Sequence, residues 1–212
     1  PAEESESTIL ELKRNKTPFV LIDRYFPRID TNYIVTDNYT GSYKATEHLI
    51  KQGYRRIGFI GFNIALNNYR ERMNGFRDAM RKNKVRIDTD WIIQFDYRRR
   101  SFQLKENIRT LMSQKDPVRA LLLANNNIGI ETLIILNDLK IRVPQDIALV
   151  CFDDDPAFQL YNSPVTVISQ KTDEIAEQCV ETLFSGMGSP KPEFVKTLIE
   201  PELVIRKSCG NK

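Results

Sequence analysis

The chain has 212 residues, 41% of them hydrophobic and 28% charged, which suits a globular protein of one large or two small domains and excludes a disordered tail. Its 31 basic and 28 acidic residues are mixed along the sequence, leaving a net charge of +3 and no basic arm of the kind that grips nucleic acid. Three dispersed cysteines, Cys151, Cys179 and Cys209, and a single histidine, His48, fit no metal spacing and no Ser/His/Asp triad, and read as reduced thiols and a structural or surface imidazole in a cytoplasmic protein.

In chain order the pattern is an alternation of short apolar runs and helical spacing. Ser7 to Arg14 reads as a helix end, Phe19 to Ile22 as a strand closed by Asp23, and Tyr33 to Val35 as a strand stopped by Thr36-Asp37-Asn38. A helix over Gly41 to Gln52 ends at Gly53. Strands at Ile57 to Ile60, Trp91 to Phe95 and Ala120 to Ala124 each feed a helix, at Arg70 to Lys82, Ser101 to Ser113 and Ile128 to Leu139. Ile147 to Phe152 ends in three aspartates, and Thr166 to Ser169 precedes a helix at Thr172 to Phe184. A strand pair near Val195 to Ile199 and Glu202 to Ile205 closes the chain. The run Arg98-Arg99-Arg100 reads as a solvated helix start, and no apolar run is long enough to cross a bilayer. The acidic stretch PAEESESTILE does not resemble an export signal.

Strands that are apolar throughout, separated by amphipathic helices, imply an α/β fold with parallel sheets flanked by helices. Ligands of such folds sit beyond the carboxyl ends of the strands. The polar punctuation of this chain falls there: Asp23 after VLI, Tyr97 after IIQFD, Asn125 after ALLLA, Asp153 after ALVCF and Gln170 after VIS. Each alone could merely cap the next helix. Together they point to a shared site. The scattered glycines form no GxGxxG and no GKS/T loop, so dinucleotide or nucleoside triphosphate binding lacks its backbone cradle. No nucleophile stands beside a base; Asp23 and Asp153 could act as an acid and base only with perturbed pKa values. Amides, carboxylates, an arginine fork and a tyrosine face suit recognition of a polyhydroxylated molecule or a planar heterocycle, with a sugar favoured over a purine. No catalytic residue, metal or cofactor is expected.

Seven collinear stretches resemble the effector-binding domain of the LacI/GalR family of bacterial transcription regulators, which shares its fold with periplasmic sugar-binding proteins. They are TPFVLIDR (Thr17 to Arg24), VTDNYTGSYKATEHLIKQGYRRIGFIG (Val35 to Gly61), RMNGFRDAM (Arg72 to Met80), ALLLANN (Ala120 to Asn126), RVPQDIALVCFDDDP (Arg142 to Pro156), SPVTVISQ (Ser163 to Gln170) and ELVIRKS (Glu202 to Ser208). The resemblance implies a two-lobed, periplasmic-binding-protein-like type I fold with an incomplete amino-terminal lobe. Carried over by position, it makes Asp23 a ligand-facing acid, Arg72 the bidentate grip on effector oxygens, and Asn68 a polar contact one helical turn earlier. Tyr97 becomes an aromatic that stacks on the ligand ring, Asn125 and Asp153 further polar contacts, and Gln170 a hydrogen-bonding residue where the chain crosses between lobes. Asn126 and Asn127 begin the following helix. The chain departs from the family pattern at Asn126, Cys151, Lys140 and Tyr54, which leaves the effector unnamed.

The same resemblance divides the chain into a partial amino-terminal lobe, residues 1–36 and 172–200, and a carboxyl-terminal lobe, residues 37–171 and 201–212, with the DNA-binding headpiece expected to be absent. The function it implies is sensing of a small-molecule effector, a sugar or sugar derivative, that closes the cleft between lobes and alters operator binding by an intact homodimer. A periplasmic sugar-binding transport receptor is the alternative, and a partner protein on the effector surface is a third reading.

Overall fold

The computed structural model describes residues 5–64, 66–96, 100–186 and 194–210, with the side chains of 100–102 and 186 left aside. Two sheets form. The smaller contains β1 (Leu21–Ile22), β2 (Tyr33–Thr36) and β8 (Lys196–Ile199) in the order β1-β2-β8, all parallel. The larger contains β3 (Ile57–Phe62), β4 (Ile92–Phe95), β5 (Ala120–Leu123), β6 (Ala148–Phe152), β7 (Thr166–Ser169) and β9 (Glu202–Val204) in the order β4-β3-β5-β6-β7-β9. Its first five strands are parallel, and β9 is an antiparallel edge on β7.

β3, β5 and β6 are buried at every position, as runs like IGFIGF and ALVCF require when both faces of a sheet are covered. The covering is helical. α2 (Asn38–Lys51) and α3 (Asn67–Lys82) pack against each other, as do α4 (Arg100–Ser113) and α5 (Asn126–Asp138). From β3 the chain moves outward to β4, then returns past it to β5 and continues through β6 to β7. The direction of winding thus reverses between β3 and β5. Right-handed crossovers then put the α3 connection and the α4 and α5 connections on opposite faces, opening a crevice at the carboxyl ends of β3 and β5. The main core lies in this sheet, and a separate small core of Ile9, Leu21 and Ile29 sits beneath the three-stranded one.

The chain passes between the sheets three times: from β2 through Asp37 into α2, from β7 through Gln170 and Lys171 into α7 (Thr172–Gly186), and from β8 through Glu200 and Pro201 into β9. The last passage corrects one expectation. The segments near Val195–Ile199 and Glu202–Ile205 follow one another but do not pair; they belong to different sheets.

Other boundaries shift for local reasons. α2 begins at Asn38 rather than Gly41, because Asp37 accepts a hydrogen bond from the Thr40 N–H at 2.8 Å and caps it there. α3 begins three residues earlier than its apolar spacing indicates, and β1 shrinks to two residues. Trp91 sits in a 3₁₀ turn (Thr89–Trp91) instead of a strand, and a short helix, α6 (Ala157–Leu160), was unforeseen. α1 (Glu6–Arg14) fits the expected helix end.

Candidate functional site

Arg72 lies on α3 with its side chain only 4% exposed, so its charge must be answered inside the protein. Its Nε donates to Asn38 Oδ1 at 2.8 Å, and its Nη1 donates to the Ala124 carbonyl at 2.5 Å and to Asp153 Oδ2 at 3.2 Å. The guanidinium lies 3.6 Å from the Phe152 ring centroid, close enough for a cation–π contact. Nη2 has no acceptor among the described residues. A buried fork with three N–H bonds assigned and two left over can take an oxygen pair from outside.

Asp153 follows β6 directly and adopts φ 69°, a left-handed conformation that a short polar side chain tolerates better than a branched one. Its backbone N–H donates to the Ile168 carbonyl at 2.9 Å, fixing the turn. One carboxylate oxygen receives Arg72, and the other accepts from Gln170 Nε2 at 2.5 Å. Gln170 in turn accepts from Thr36 Oγ1 at 2.5 Å. The following acids have separate work. Asp154 takes both terminal nitrogens of Arg206, at 2.8 and 2.6 Å, and this pairing holds its carboxyl below the usual range. Asp155 accepts from the Ala157 N–H at 2.9 Å, in the turn that leads into α6.

Asn125 divides its amide. Its Oδ1 accepts from the Ile128 N–H at 2.9 Å, capping α5, while Nδ2 donates to Tyr69 Oη at 2.5 Å. It therefore caps a helix and lines the crevice at once. Asn126 and Asn127 are the first residues of α5. Beneath this turn Cys151 is fully buried, its Sγ 3.2 Å from the Asn125 carbonyl, and burial pushes its thiol well above the ordinary range. Room for that sulfur exists because position 129 is glycine: an added Cβ would stand 2.6 Å from it.

Arg72, Asn125, Asp153 and Gln170 thus meet around the carboxyl ends of β5, β6 and β7. Asn68 and Asp23, also expected here, bond elsewhere. Asn68 is buried one turn before Arg72, but its Oδ1 folds back onto the Tyr69 N–H at 3.0 Å. Asp23, at φ 63°, is exposed, and its Oδ2 stands 3.0 Å from the neighbouring Arg24 Nε. Tyr97 falls outside the described residues.

Four participants escaped the motif reading: Thr36, Asn38, Tyr69 and Glu71. Thr36 and Asn38 were visible only as a strand stop. Tyr69 sits beside Asn68 in the α3 start, where burial raises its pKa. Glu71 accepts from Tyr25 Oη at 3.0 Å, a contact reaching from the loop after β1 to α3. Burial raises the Glu71 carboxyl; burial and the neighbouring Glu71 push Tyr25 up to about 12. No helix among the described residues is long and apolar enough to cross a membrane, and no described cluster of His, Cys, Asp and Glu could hold a metal ion.

Residues 46–209 match the periplasmic binding protein-like domain, so the chain belongs to that family, in its LacI/GalR branch. Its relatives include the ribose operon repressor of Haemophilus influenzae, 26% identical over 90% of this chain, and the HTH-type transcriptional repressor PurR of Haemophilus influenzae strain PittEE, 30% identical over 90%. The chain spans 57% of the length of each. Among solved structures, a LacI-family regulatory protein from Chloroflexus aggregans superimposes with a TM-score of 0.85 at 25% identity, over 94% of this chain and 71% of that one. The transcriptional regulator CelR in complex with cellobiose does so at 0.81 and 26% identity, over 93% and 60%.

Proposed function

We propose that this chain is the effector-sensing part of a LacI-type transcriptional regulator and that it binds a sugar or sugar derivative without turning it over. The carrying observation is the Arg72 guanidinium: buried, held by Asn38, Ala124 and Asp153, and left with the two N–H bonds of Nη2 unassigned. Vicinal hydroxyls or a ring oxygen are acceptors of the right spacing for such a fork, and Asn125, Asp153 and Gln170 supply donors and acceptors around it. Support from kinship is of the same kind, since the relatives carry repressor names and CelR was solved with cellobiose. Asp23, Asn68 and Tyr97 complete the ligand set in this reading.

In the same reading residues 1–36 and 172–200 belong to one lobe and 37–171 and 201–212 to the other, matching the membership of the two sheets. Ligand favours whichever setting of the lobes it binds more tightly, and only by that difference in affinity. The intact dimer passes the setting on to operator DNA.

A thermal-shift screen of the protein against monosaccharides, disaccharides, sugar acids, sugar phosphates and purines tests this. Native-state binding raises the melting temperature. The expected result is a shift with at least one sugar-class compound; a shift with purines alone, or with nothing, contradicts the reading.

A further inference from the structure

A closed ring of hydrogen bonds runs through the place where the chain passes between its sheets. Thr36 Oγ1 donates to Gln170 Oε1 at 2.5 Å, Gln170 Nε2 to Asp153 Oδ1 at 2.5 Å, and Arg72 Nη1 to Asp153 Oδ2 at 3.2 Å. Arg72 Nε donates to Asn38 Oδ1 at 2.8 Å, and Asn38 Nδ2 returns to the Thr36 carbonyl at 2.9 Å. Thr36 and Asn38 flank the first passage, and Gln170 lies on the second. Between Thr36 and Asn38, the Asp37 N–H donates at 2.8 Å to the carbonyl of Ile199, the residue at which the third passage starts.

We propose that Asn38 is a positioning residue of the site, and that through Asn38 and Gln170 the state of Arg72 and Asp153 is tied to the setting of the passages between the sheets. Asn38 is 2% exposed, and its amide works in one sense only. Reversed, its NH₂ would face the Arg72 Nε–H and its oxygen would face the Thr36 carbonyl. The amide is therefore locked, and it locks the guanidinium: Nε is held by Asn38 while Nη1 is held by Ala124, so the plane cannot turn without releasing one of them. A ligand that draws Arg72 or Asp153 pulls on the ring, and the ring's other members are the passages themselves. Buried polar networks of this kind transmit because a half-satisfied ring costs more than either complete arrangement.

The ligand's part in this rests on the sensing reading; the linkage itself does not. It is tested without ligand by perturbing one end and reading the other. Thr36→Val removes one hydroxyl and keeps the shape. Exchange of the Arg72 Nε–H, followed by ¹⁵N NMR, is expected to quicken about tenfold although Thr36 makes no hydrogen bond to Arg72. In Arg72→Lys, exchange at the Asp37 and Thr40 amides should quicken by about the same factor, while the central-strand amides of Leu122 and Leu149 keep their rates. Asn38→Ala, which removes the acceptor, should expose the Nε–H to exchange. Unchanged Nε–H exchange in Thr36→Val overturns the linkage. Full protection in Asn38→Ala overturns the positioning role. A failed ligand screen would count against sensing and leave both of these results standing on their own.

Discussion

At the scale of single residues the site depends on how a buried charge is satisfied. Arg72 is one member of a pair whose partner, Asp153, is 21% exposed at its side chain, so the site is dry on the arginine side and open on the carboxylate side. Asp153→Asn keeps a residue that tolerates φ 69° but leaves the arginine without its counter-charge. We expect a loss of roughly 1.5 to 3 kcal/mol in urea unfolding, the range for a charged hydrogen bond. A change below about 0.5 kcal/mol, the level of an ordinary surface substitution, would mean the pair does not stabilise the fold. His48 offers a second test. Burial, with Lys51 nearby, lowers its pKa below 6.5, and its Nε2 has no hydrogen-bond partner among the described residues. The folded state therefore binds its proton more weakly than the unfolded one, and the contribution of neutral His48 is present above pH 6.5 and lost as pH falls through the depressed value. His48→Gln should flatten the decline in denaturant midpoint between neutral and mildly acid pH; equal slopes in both proteins would contradict this.

At the scale of elements, α3 is held where Arg72 is useful by its crossing with α2. Gly75 permits it: an added Cβ would stand 2.2 Å from the Tyr39 carbonyl and 2.9 Å from the Tyr43 nitrogen, both backbone atoms that cannot swing aside. Ser42 Oγ donates to the Arg72 carbonyl at 2.5 Å across the same contact. Gly75→Ala should cost about 2 kcal/mol or more by forcing the helices apart, and should weaken ligand binding because Arg72 moves with α3. Wild-type stability in urea would refute the close crossing. The strand-helix alternation that builds this frame was legible in the sequence, because continuous apolar runs such as ALLLA and ALVCF have only one comfortable place, the middle of a covered parallel sheet. Boundaries were less legible where side chains decide them. The Asp37 cap lengthens α2 beyond its apolar spacing, and Pro201 lies in a passage that sends β9 to a different sheet from β8, which strand propensity cannot reveal.

At the scale of the whole molecule, the polar residues after successive strands converge because all the parallel strands of the large sheet end on one side. That is why Asn125, Asp153 and Gln170 could be picked from sequence order alone, and why Arg72 needed a motif: it lies in mid-helix, and only the crossing of α3 over the strand ends brings it to them. Asn38 and Thr36 were not legible as site residues, since their role depends on a ring closed by residues more than thirty positions away. Calorimetric titration of the wild-type protein and Arg72→Ala, with whichever compound shifts the melting temperature, asks whether an effector oxygen lies on the free edge of Arg72. Loss of affinity of about 100-fold or more in Arg72→Ala, with the far-ultraviolet circular dichroism unchanged, is the predicted result. Equal affinity in the two proteins would place the ligand elsewhere and contradict the site.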